Sequence, residues 1–339
     1  MILVLNCGSQ SIKWKVFDRR LNVAKEGSRT VLDTTNFRKD LQGELEKVRG
    51  LDIHLIGHRV VHGKDIFIKP TEITKNNIKT LESLSALDPL HNPFNVLGIK
   101  ACQNIFPEVQ QIAVFDTEFF KGLPDKAFTY ALPEKFVKEF GFHRYGFHGI
   151  GHEYAVKMAS EQLERPAGKL KMITCHLGGG SSITAVGAGK AVDTSMGFTP
   201  MQGLVMMTRA GDIDAGIVLE LAKKYGVEKT GEILNKKSGL KGICGQGEML
   251  KVLEKIKAGD KSAKLALDVF VYSIQKYIGA YFAILGGCDA LVFTGTIGYG
   301  SKKIRDMVCK GMDILKNTKI LAIEPNEELA IAKKALSVK

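Results

Sequence analysis

The sequence predicts an α/β protein of two domains that share one repeated plan. Residues 2–17 have the pattern of a strand, a polar turn and a second strand. Residues 172–186 repeat this order around a turn rich in Gly and Ser. Predicted strands and helices alternate along the first half, as they do in α/β domains. The two similar hairpins predict a duplicated fold with a nucleotide cleft between its halves.

Size and composition fit an enzyme with two cores. The chain has 339 residues, and 45% of them are hydrophobic. The net charge of +12 is compatible with nucleic acid or with a small anionic substrate. Because the lysines are scattered, with pairs as their densest pieces, and no RNA-binding signature or base-stacking stripe is present, we expect small phosphorylated ligands and no nucleic acid.

The cysteines and the apolar segments indicate the cellular compartment in which we expect the protein. Six widely spaced cysteines without a CxxC pair predict reduced thiols and a cytoplasmic protein. The apolar run at 2–5 is too short for a signal peptide, so we expect none. Residues 278–298 are the most apolar long stretch, but Gly and Asp interrupt it at 286–289. This pattern favours a helix end, a turn and a buried strand over a membrane span.

The other elements are predicted from periodicity. In the first half we expect a strand at 57–61, a helix at 71–87, a loop at 90–93, a helix at 94–105 and a strand at 111–115.

A second unit is predicted to open near Phe119. After its hairpin, the sequence predicts a helix-rich stretch at 250–285, a strand at 290–294, a glycine turn at 295–300 and a helix at 326–336.

The tip of the first hairpin suits phosphate binding. Gly8 lets the backbone approach a ligand closely, Ser9 and Ser11 offer hydroxyl donors, and Lys13 supplies positive charge. An ordinary hairpin with a polar tip has the same pattern.

Three charged residues are candidates for chemistry. Arg59 lies at a strand end, and Arg is suited to bidentate binding of phosphate or carboxylate. Asp116 ends a strand at the carboxyl edge, where ligand sites of α/β proteins lie. Arg209 lies in a long polar segment with several glycines. The alternatives are a surface salt bridge for Arg59, a helix cap for Asp116 and a solvated side chain for Arg209.

His148 and His152 are four residues apart, a spacing that on a helix would suit a metal. The glycines around them favour a loop, and no nearby Cys completes a zinc set. We therefore favour a loop histidine that donates to a phosphoryl oxygen.

Together these segments resemble the acetate kinase family of short-chain carboxylate kinases, whose fold is a duplicated ribonuclease H-like, actin-like ATPase fold. The resemblance is collinear over nearly the whole chain. The matching segments are NCGSQSIK (6–13), GHRVVHG (57–63), PLHNP (89–93), VFDTEF (114–119), YGFHG (145–149), HLGGGSSI (176–183), DTSMGFTP (193–200), TRAGDID (208–214), FTGTIG (293–298) and PNEELAIA (325–332). The resemblance implies reversible, in-line transfer of a phosphoryl group from ATP to acetate, with Mg²⁺ or Mn²⁺, giving acetyl phosphate and ADP.

The resemblance also implies catalytic and metal-binding roles. Arg59 would hold the carboxylate, Arg209 would stabilise the transferring phosphoryl group, and His148 would donate to it in the transition state. Asp116 would be an active-site carboxylate and His91 an assisting histidine. The metal-associated residues would be Asn6 and Glu327, with Asp65 as a further carboxylate.

Two binding regions are implied in the same way. The apolar pocket for the methyl group of the acid would be formed by Val61, Leu90, Phe147 and Pro200. The nucleotide contacts would be Ser9, Ser11, Lys13, His176, Leu177, Gly178, Gly179, Gly180, Thr296, Ile297, Gly298, Tyr299 and Gly300.

The implied organisation is a first actin-like domain of residues 1–117 plus 325–339 and a second of residues 118–324. A homodimer formed through the second domain is also implied.

Several positions differ from the family pattern. Gly179 lies where Asn is usual, Lys64 lies where Gly is usual, and residues 296–300 lack the usual Glu and Asn. Three alternatives therefore remain: a carboxylate kinase that uses pyrophosphate as donor, one that prefers propionate, and a non-catalytic relative that binds ligand.

Overall fold

The computed structural model describes residues 1–86 and 91–338, and the chain forms two compact units. Unit 1 contains the described residues of Met1–Lys121, with His148–Ile150 and the C-terminal segment from Asn326. Unit 2 contains Gly122–Phe147 and Gly151–Pro325. The predicted domain boundaries at 117 and 325 stay a prediction.

Unit 1 is built on a six-stranded sheet in the order β3-β2-β1-β4-β6-β5. β1, β2 and β3 form an antiparallel meander, β4 and β6 continue it in parallel with β1, and β5 pairs antiparallel at the edge. The strands are β1 (Ile2–Gly8), β2 (Ser11–Phe17), β3 (Val23–Thr30), β4 (Leu55–Val60), β5 (Thr71–Glu72) and β6 (Gln110–Phe115).

Unit 2 is built on a five-stranded sheet in the order β11-β10-β7-β8-β9. Its first three strands form an antiparallel meander, and the last two continue it in parallel with β7. The strands are β7 (Lys171–Leu177), β8 (Ser181–Gly187), β9 (Lys190–Thr194), β10 (Ala290–Thr294) and β11 (Lys319–Ala322).

The two sheets have the same topology. The order β3-β2-β1-β4-β6 corresponds strand by strand to β9-β8-β7-β10-β11, with the same parallel and antiparallel pairs. The prediction of an α/β protein with a duplicated, actin-like fold is therefore confirmed.

Helices lie between the strands along the chain, and several of them pack on the two sheets. The helices of the first segment are α1 (Phe37–Glu46), α2 (Asn77–Ser83) and α3 (Asn92–Ile105). They are followed by α4 (Asp125–Phe128), α5 (Glu134–Phe140), α6 (Gly149–Gln162), α7 (Ala215–Tyr225), α8 (Val227–Lys236), α9 (Gly239–Cys244), α10 (Met249–Lys257), α11 (Lys261–Leu285), α12 (Gly295–Gly298) and α13 (Lys302–Cys309). The last helix, α14 (Glu327–Leu336), returns to unit 1.

The pleat of β1 separates two layers of unit 1. Leu3, Leu5 and Cys7 pack in the cluster that includes α1 and α3. The alternate residues Val4 and Asn6 lie on the opposite face, against which α14 packs. The N-terminus of α14 is thereby placed near the carboxyl ends of β1, β4 and β6.

Several local predictions need correction. The first hairpin turn contains only Ser9 and Gln10, because Asn6 and Ser11 belong to the strand ladder. Likewise, Ser181 and Ser182 belong to β8 rather than to the second turn. The predicted helix at 71–87 begins as a short edge strand and becomes helical at Asn77, and Leu87 lies outside the described residues.

The long apolar stretch forms the predicted helix end, turn and buried strand. α11 ends at Leu285, Gly286 adopts a left-handed conformation as its cap, and β10 follows with all five residues buried. Among the residues described here, we find no helix that is long and apolar enough to span a membrane.

The contact between α14 and β4 depends on Gly57. A Cβ atom at this position would lie 2.8 Å from Cγ2 of Ile331 and 3.6 Å from Cγ2 of Val4. We expect Gly57→Ala to lower the free energy of unfolding by about 1–3 kcal/mol, because the overpacked helix must shift. Denaturant titration measures this change. Gly50→Ala is the control, since its Cβ would meet no atom within 4 Å, and an equal loss in both variants would contradict the prediction.

Candidate functional site

In unit 1 the candidate residues gather at the carboxyl ends of parallel strands. Arg59 is in β4, Asp116 directly follows β6, and Asn6 is in β1. Arg59 pairs in register with Val114, so Asp116, two residues further on, has its side chain on the same face. This is the edge where ligands of α/β proteins bind.

Arg59 bridges two carboxylates. Its Nη2 and Nε atoms donate to Oδ2 of Asp116 at 2.7 and 3.2 Å. Its Nη1 atom lies 3.2 Å from Oε2 of Glu327, in the first turn of α14. The sequence identified all three residues, and the structure places them in one cluster.

Burial dominates the electrostatics of this cluster. The Asp116 side chain is 1% exposed, and burial raises its pKa, whereas the charge and hydrogen bonds of Arg59 lower it. Burial alone would lower the pKa of Arg59, but Asp116 and Glu327 raise it above its ordinary value. The guanidinium therefore stays charged, as an anion-binding group must.

One oxygen of the cluster is available for a ligand. Oδ1 of Asp116 is buried and has no hydrogen-bond partner among the residues that the structure describes. A buried, unpaired carboxylate oxygen is costly unless a ligand, water or ion completes its bonding.

His148 is held in an unusual backbone conformation beside Asp116. Its φ of 59° is in the left-handed region, which is uncommon for a residue other than Gly. The next residue, Gly149, donates its N–H to the carbonyl of Asp116 at 3.0 Å. A Cβ atom on Gly149 would lie 2.1 Å from that carbonyl oxygen, so only Gly permits this contact. The contact fixes His148 next to the cluster.

The segment after Arg59 is fastened by two asparagines that sequence reasoning missed. Asn95 accepts from Val61 N at 3.0 Å, and Asn92 both accepts from and donates to the backbone of His62 at 3.0 Å. Both asparagines are almost fully buried. Asn95, a polar residue on the apolar face of the helix predicted at 94–105, is the signal that could have been used, whereas Asn92 falls in the loop predicted at 90–93.

Other candidates in unit 1 are placed as follows. Val61 is buried, and His91 is the residue just before α3, close enough to Asp116 to lower the pKa of that carboxyl. Leu90 lies outside the described residues. Asp65 is exposed and follows Lys64.

The first hairpin brings polar groups to one face of the sheet. Asn6 is directly opposite Lys13 in the antiparallel ladder, so their side chains share a face. Ser9 lies in the turn and Ser11 begins β2, and both are half-buried.

The oxygen groups of unit 1 fit a hard cation. No three His, Cys, Asp or Glu side chains in the described part of the chain gather as a complete metal site. Mg²⁺ rarely uses such a set, because it is held by one or two carboxylates together with water and substrate phosphates. Carboxylate oxygens of Asp116 and Glu327 and the amide of Asn6 are of this type.

In unit 2 the two predicted nucleotide segments lie together. β7 ends in His176 and Leu177, and a three-residue turn, Gly178, Gly179 and Gly180, leads to β8. A Cβ atom on Gly178 would lie 3.4 Å from Oγ1 of Thr296. A Cβ atom on Gly295 would lie 2.5 Å from the Leu177 carbonyl. The glycines therefore let the two segments approach each other.

The second segment is helical rather than a simple turn. α12 covers Gly295–Gly298, with Thr296 and Ile297 inside it. Tyr299 follows it and is 42% exposed, and Gly300 comes next.

His152 was predicted to lie in a loop, but it lies in α6. Its ring nitrogens are each 2.7 Å from a hydroxyl oxygen, Thr174 Oγ1 and Ser182 Oγ. Burial and the nearby His176 lower the pKa of His152 well below its ordinary value. A neutral imidazole thus joins the two strands beside the glycine turn.

Arg209 lies near the end of a loop, and both its backbone and its side chain take part in hydrogen bonds. Its Nη1 atom donates to the Pro200 carbonyl at 3.2 Å, so Arg209 lies near another candidate residue. Pro200 is half-buried, and Phe147 is 1% exposed.

The sheet topology and the placement of arginine, carboxylates and glycine turns define a phosphotransferase of the actin-like ATPase class. The sequence profile of the acetokinase family matches residues 36–333. The chain belongs to this family, whose members transfer a phosphoryl group to a carboxyl group.

Individual relatives agree with this assignment. Acetate kinase from Carboxydothermus hydrogenoformans is 41% identical over 392 aligned positions, which cover 99% of this chain and 98% of the relative. The crystal structure of Porphyromonas gingivalis acetate kinase has a TM-score of 0.90 and 33% identity, with 99% of both chains covered. A propionate kinase structure from Francisella tularensis has a TM-score of 0.87 and 35% identity, with 98% of both chains covered.

Proposed function

We propose that the protein is an acetate kinase that transfers the γ-phosphoryl group of ATP reversibly to acetate. The observation that carries this proposal is Arg59, held by Asp116 and Glu327 at the carboxyl edge of the unit 1 sheet. A charged guanidinium with fixed orientation binds a carboxylate in a bidentate manner. Phosphoryl transfer then depends mainly on positioning and charge neutralisation.

The proposed step is an in-line displacement. A carboxylate oxygen of acetate forms a bond to the γ-phosphorus while the bond to the bridging oxygen of ADP breaks. Arg59 orients the carboxylate, and His148 and Arg209 donate to oxygens of the phosphoryl group, where negative charge must be stabilised. Asp116 holds Arg59 in place, and His91 assists at the same edge.

We propose that Mg²⁺ is held by Asn6 and Glu327, with Mn²⁺ as a substitute. The unpaired Oδ1 atom of Asp116 and the oxygen character of the set support a hard cation. When bound, the metal neutralises phosphate charge. Ser9, Ser11 and Lys13 of unit 1 and the residues 176–180 and 296–300 of unit 2 would contact the nucleotide.

The acid is proposed to place its methyl group against Val61, Leu90, Phe147 and Pro200. Apolar pockets distinguish substrates that differ by one methylene only by about 1–3 kcal/mol. Propionate is therefore the second candidate acid, and the similarity to a propionate kinase structure favours including it in the assay.

The test is an acyl hydroxamate assay on the purified protein. Acetate or propionate is supplied with ATP, GTP or pyrophosphate, with Mg²⁺ and hydroxylamine. We expect hydroxamate with acetate and ATP. A preference for pyrophosphate would reassign the donor, and ligand binding by calorimetry without product would indicate a non-catalytic relative.

A homodimer formed through α7 completes the proposal. No residue of this helix is buried, although it carries Ile217, Leu219 and Tyr225. Its N-terminus has Asp214 as cap, and its last turn contains Lys223 and Lys224. In an antiparallel pair related by a twofold axis, the acidic start of each helix would face the basic end of its partner.

Leu219→Glu is expected to convert the dimer to a monomer. The side chain is 69% exposed in the single chain, and a charge at a buried interface is costly. Light scattering coupled to size-exclusion chromatography gives the mass. Leu265→Glu, on α11 and 57% exposed, is the matched control. A wild-type monomer, or a dimer that survives Leu219→Glu, would rule out this interface.

A further inference from the structure

We propose that Tyr277 and Asp212 are positioning residues that set the place of Arg209 by closing the loop on which it lies. This inference rests on the proposed role of Arg209 in phosphoryl transfer. It concerns the loop 203–212, in which both ends meet and Arg209 lies near one end.

Asp212 closes the loop through three hydrogen bonds. Its backbone N–H donates to the Gly203 carbonyl at 2.9 Å, and its Oδ1 atom accepts from Gly203 N at 3.0 Å. Its Oδ2 atom accepts from the hydroxyl of Tyr277 at 2.7 Å. Both carboxylate oxygens therefore accept a hydrogen bond at the base of the loop, three residues after Arg209.

The backbone of the loop allows few alternative positions for Arg209. Met206 N donates to the Arg209 carbonyl at 3.2 Å, and Ala210 N donates to Leu234 O at 3.1 Å. Gly211 has a φ of 74°, and a Cβ atom there would lie 2.5 Å from Leu204 O. A displacement at the loop base is therefore transmitted to the guanidinium instead of being absorbed locally.

Tyr277 is the link between this loop and a rigid element. It belongs to α11, which has 25 residues and provides much of the buried core of unit 2. Burial and the hydrogen bond to Asp212 raise the pKa of Tyr277, so it remains a donor at neutral pH. Sites whose supporting residues lie on helices are held more precisely than sites supported by loops alone.

The same helix supplies a matched control one turn away. The ring of Tyr281 is 5.6 Å from that of Tyr277. Its hydroxyl is buried but has no hydrogen-bond partner among the residues that the structure describes. Removing this hydroxyl therefore leaves the loop closure intact, whereas removing that of Tyr277 breaks it.

The experiment is a double-mutant cycle with kinetics in the acetate and ATP assay. We expect Tyr277→Phe to lower kcat by about 10-fold with little change in the KM for acetate, since small misplacements of catalytic groups are costly. Tyr281→Phe should stay within about 2-fold of wild type. In an Arg209→Ala background, Tyr277→Phe should have almost no further effect, because it acts through Arg209.

Each outcome decides the matter. Wild-type kcat in Tyr277→Phe, or an equal fall on both backgrounds, overturns this inference while the role of Arg209 stands. Wild-type turnover in Arg209→Ala overturns the proposed role and the inference with it. Thermal unfolding is measured for every variant, and Asp212→Asn replaces Tyr277→Phe in the cycle if the latter does not fold.

Discussion

Arg209→Ala is expected to lower kcat by about 10²-fold or more, the usual cost of removing one preorganised donor to developing charge. The side chain is partly buried and donates to the Pro200 carbonyl, so its position is set before substrate binds. Because the interaction is strongest in the transition state, kcat and kcat/KM should fall together. Steady-state kinetics with acetate and ATP measure both.

Two variants make this result specific. Arg209→Lys keeps the positive charge but loses the planar pair of donors, so it should recover only part of the activity. Arg49→Ala removes an exposed arginine whose ion pair is with Glu46, three residues earlier on the surface. It should therefore leave turnover unchanged. Near wild-type turnover in Arg209→Ala would exclude the residue from the phosphoryl-transfer step.

Local patterns in the sequence were sufficient for most of the fold. The strand at residues 111–115 and the helix at 94–105 appear as β6 and α3 with small changes at their ends. The hairpins at 2–17 and 172–186 appear with shorter turns than predicted. The turns were predicted too long because polar residues were assigned to them that in fact belong to the strands. Asn6 pairs with Lys13 in the ladder, and Ser182 is in β8, where its hydroxyl contacts the buried His152.

The contacts that assemble the candidate site are not local. The meeting of Arg59 with both Asp116 and Glu327 depends on strand order and on the packing of α14, which periodicity does not specify. The closure of the Arg209 loop by Tyr277 likewise joins residues far apart in the chain. Such contacts become predictable only through a family resemblance or through the structure itself.

One departure from the family pattern coincides with an unusual backbone conformation. Lys64 lies where the resemblance expects Gly, and its φ is 51°. This is the left-handed conformation that Gly adopts easily, and it costs about 1 kcal/mol for a side chain with Cβ.

Asp116→Asn is expected to lower activity strongly while it leaves the stability of the fold almost unchanged. The variant loses the negative charge that fixes Arg59, and kcat/KM should fall by about 10²-fold or more, as for other preorganised charged groups. The amide oxygen can still accept from Arg59, and Glu327, which lies 3.2 Å from Nη1 of Arg59 in the wild-type structure, remains as a charged partner. No buried charge is left alone, so the free energy of unfolding at neutral pH should change by no more than about 1 kcal/mol, or increase.

The dependence of stability on pH provides the sharper measurement. Burial raises the pKa of Asp116 in the folded protein, whereas the unfolded chain has the ordinary value. Between these two values the folded state retains a proton that the unfolded state has released, so this residue's contribution to stability falls as the pH rises through the raised pKa. Asn cannot ionise, and denaturant titrations of Asp116→Asn from acidic to neutral pH should lack this decline. Asp306→Asn, an exposed carboxylate paired with Lys302, should keep it. Retained turnover in Asp116→Asn, or a loss of several kcal/mol in stability at neutral pH, would contradict the assignment of this carboxylate as a buried, activity-determining partner of Arg59.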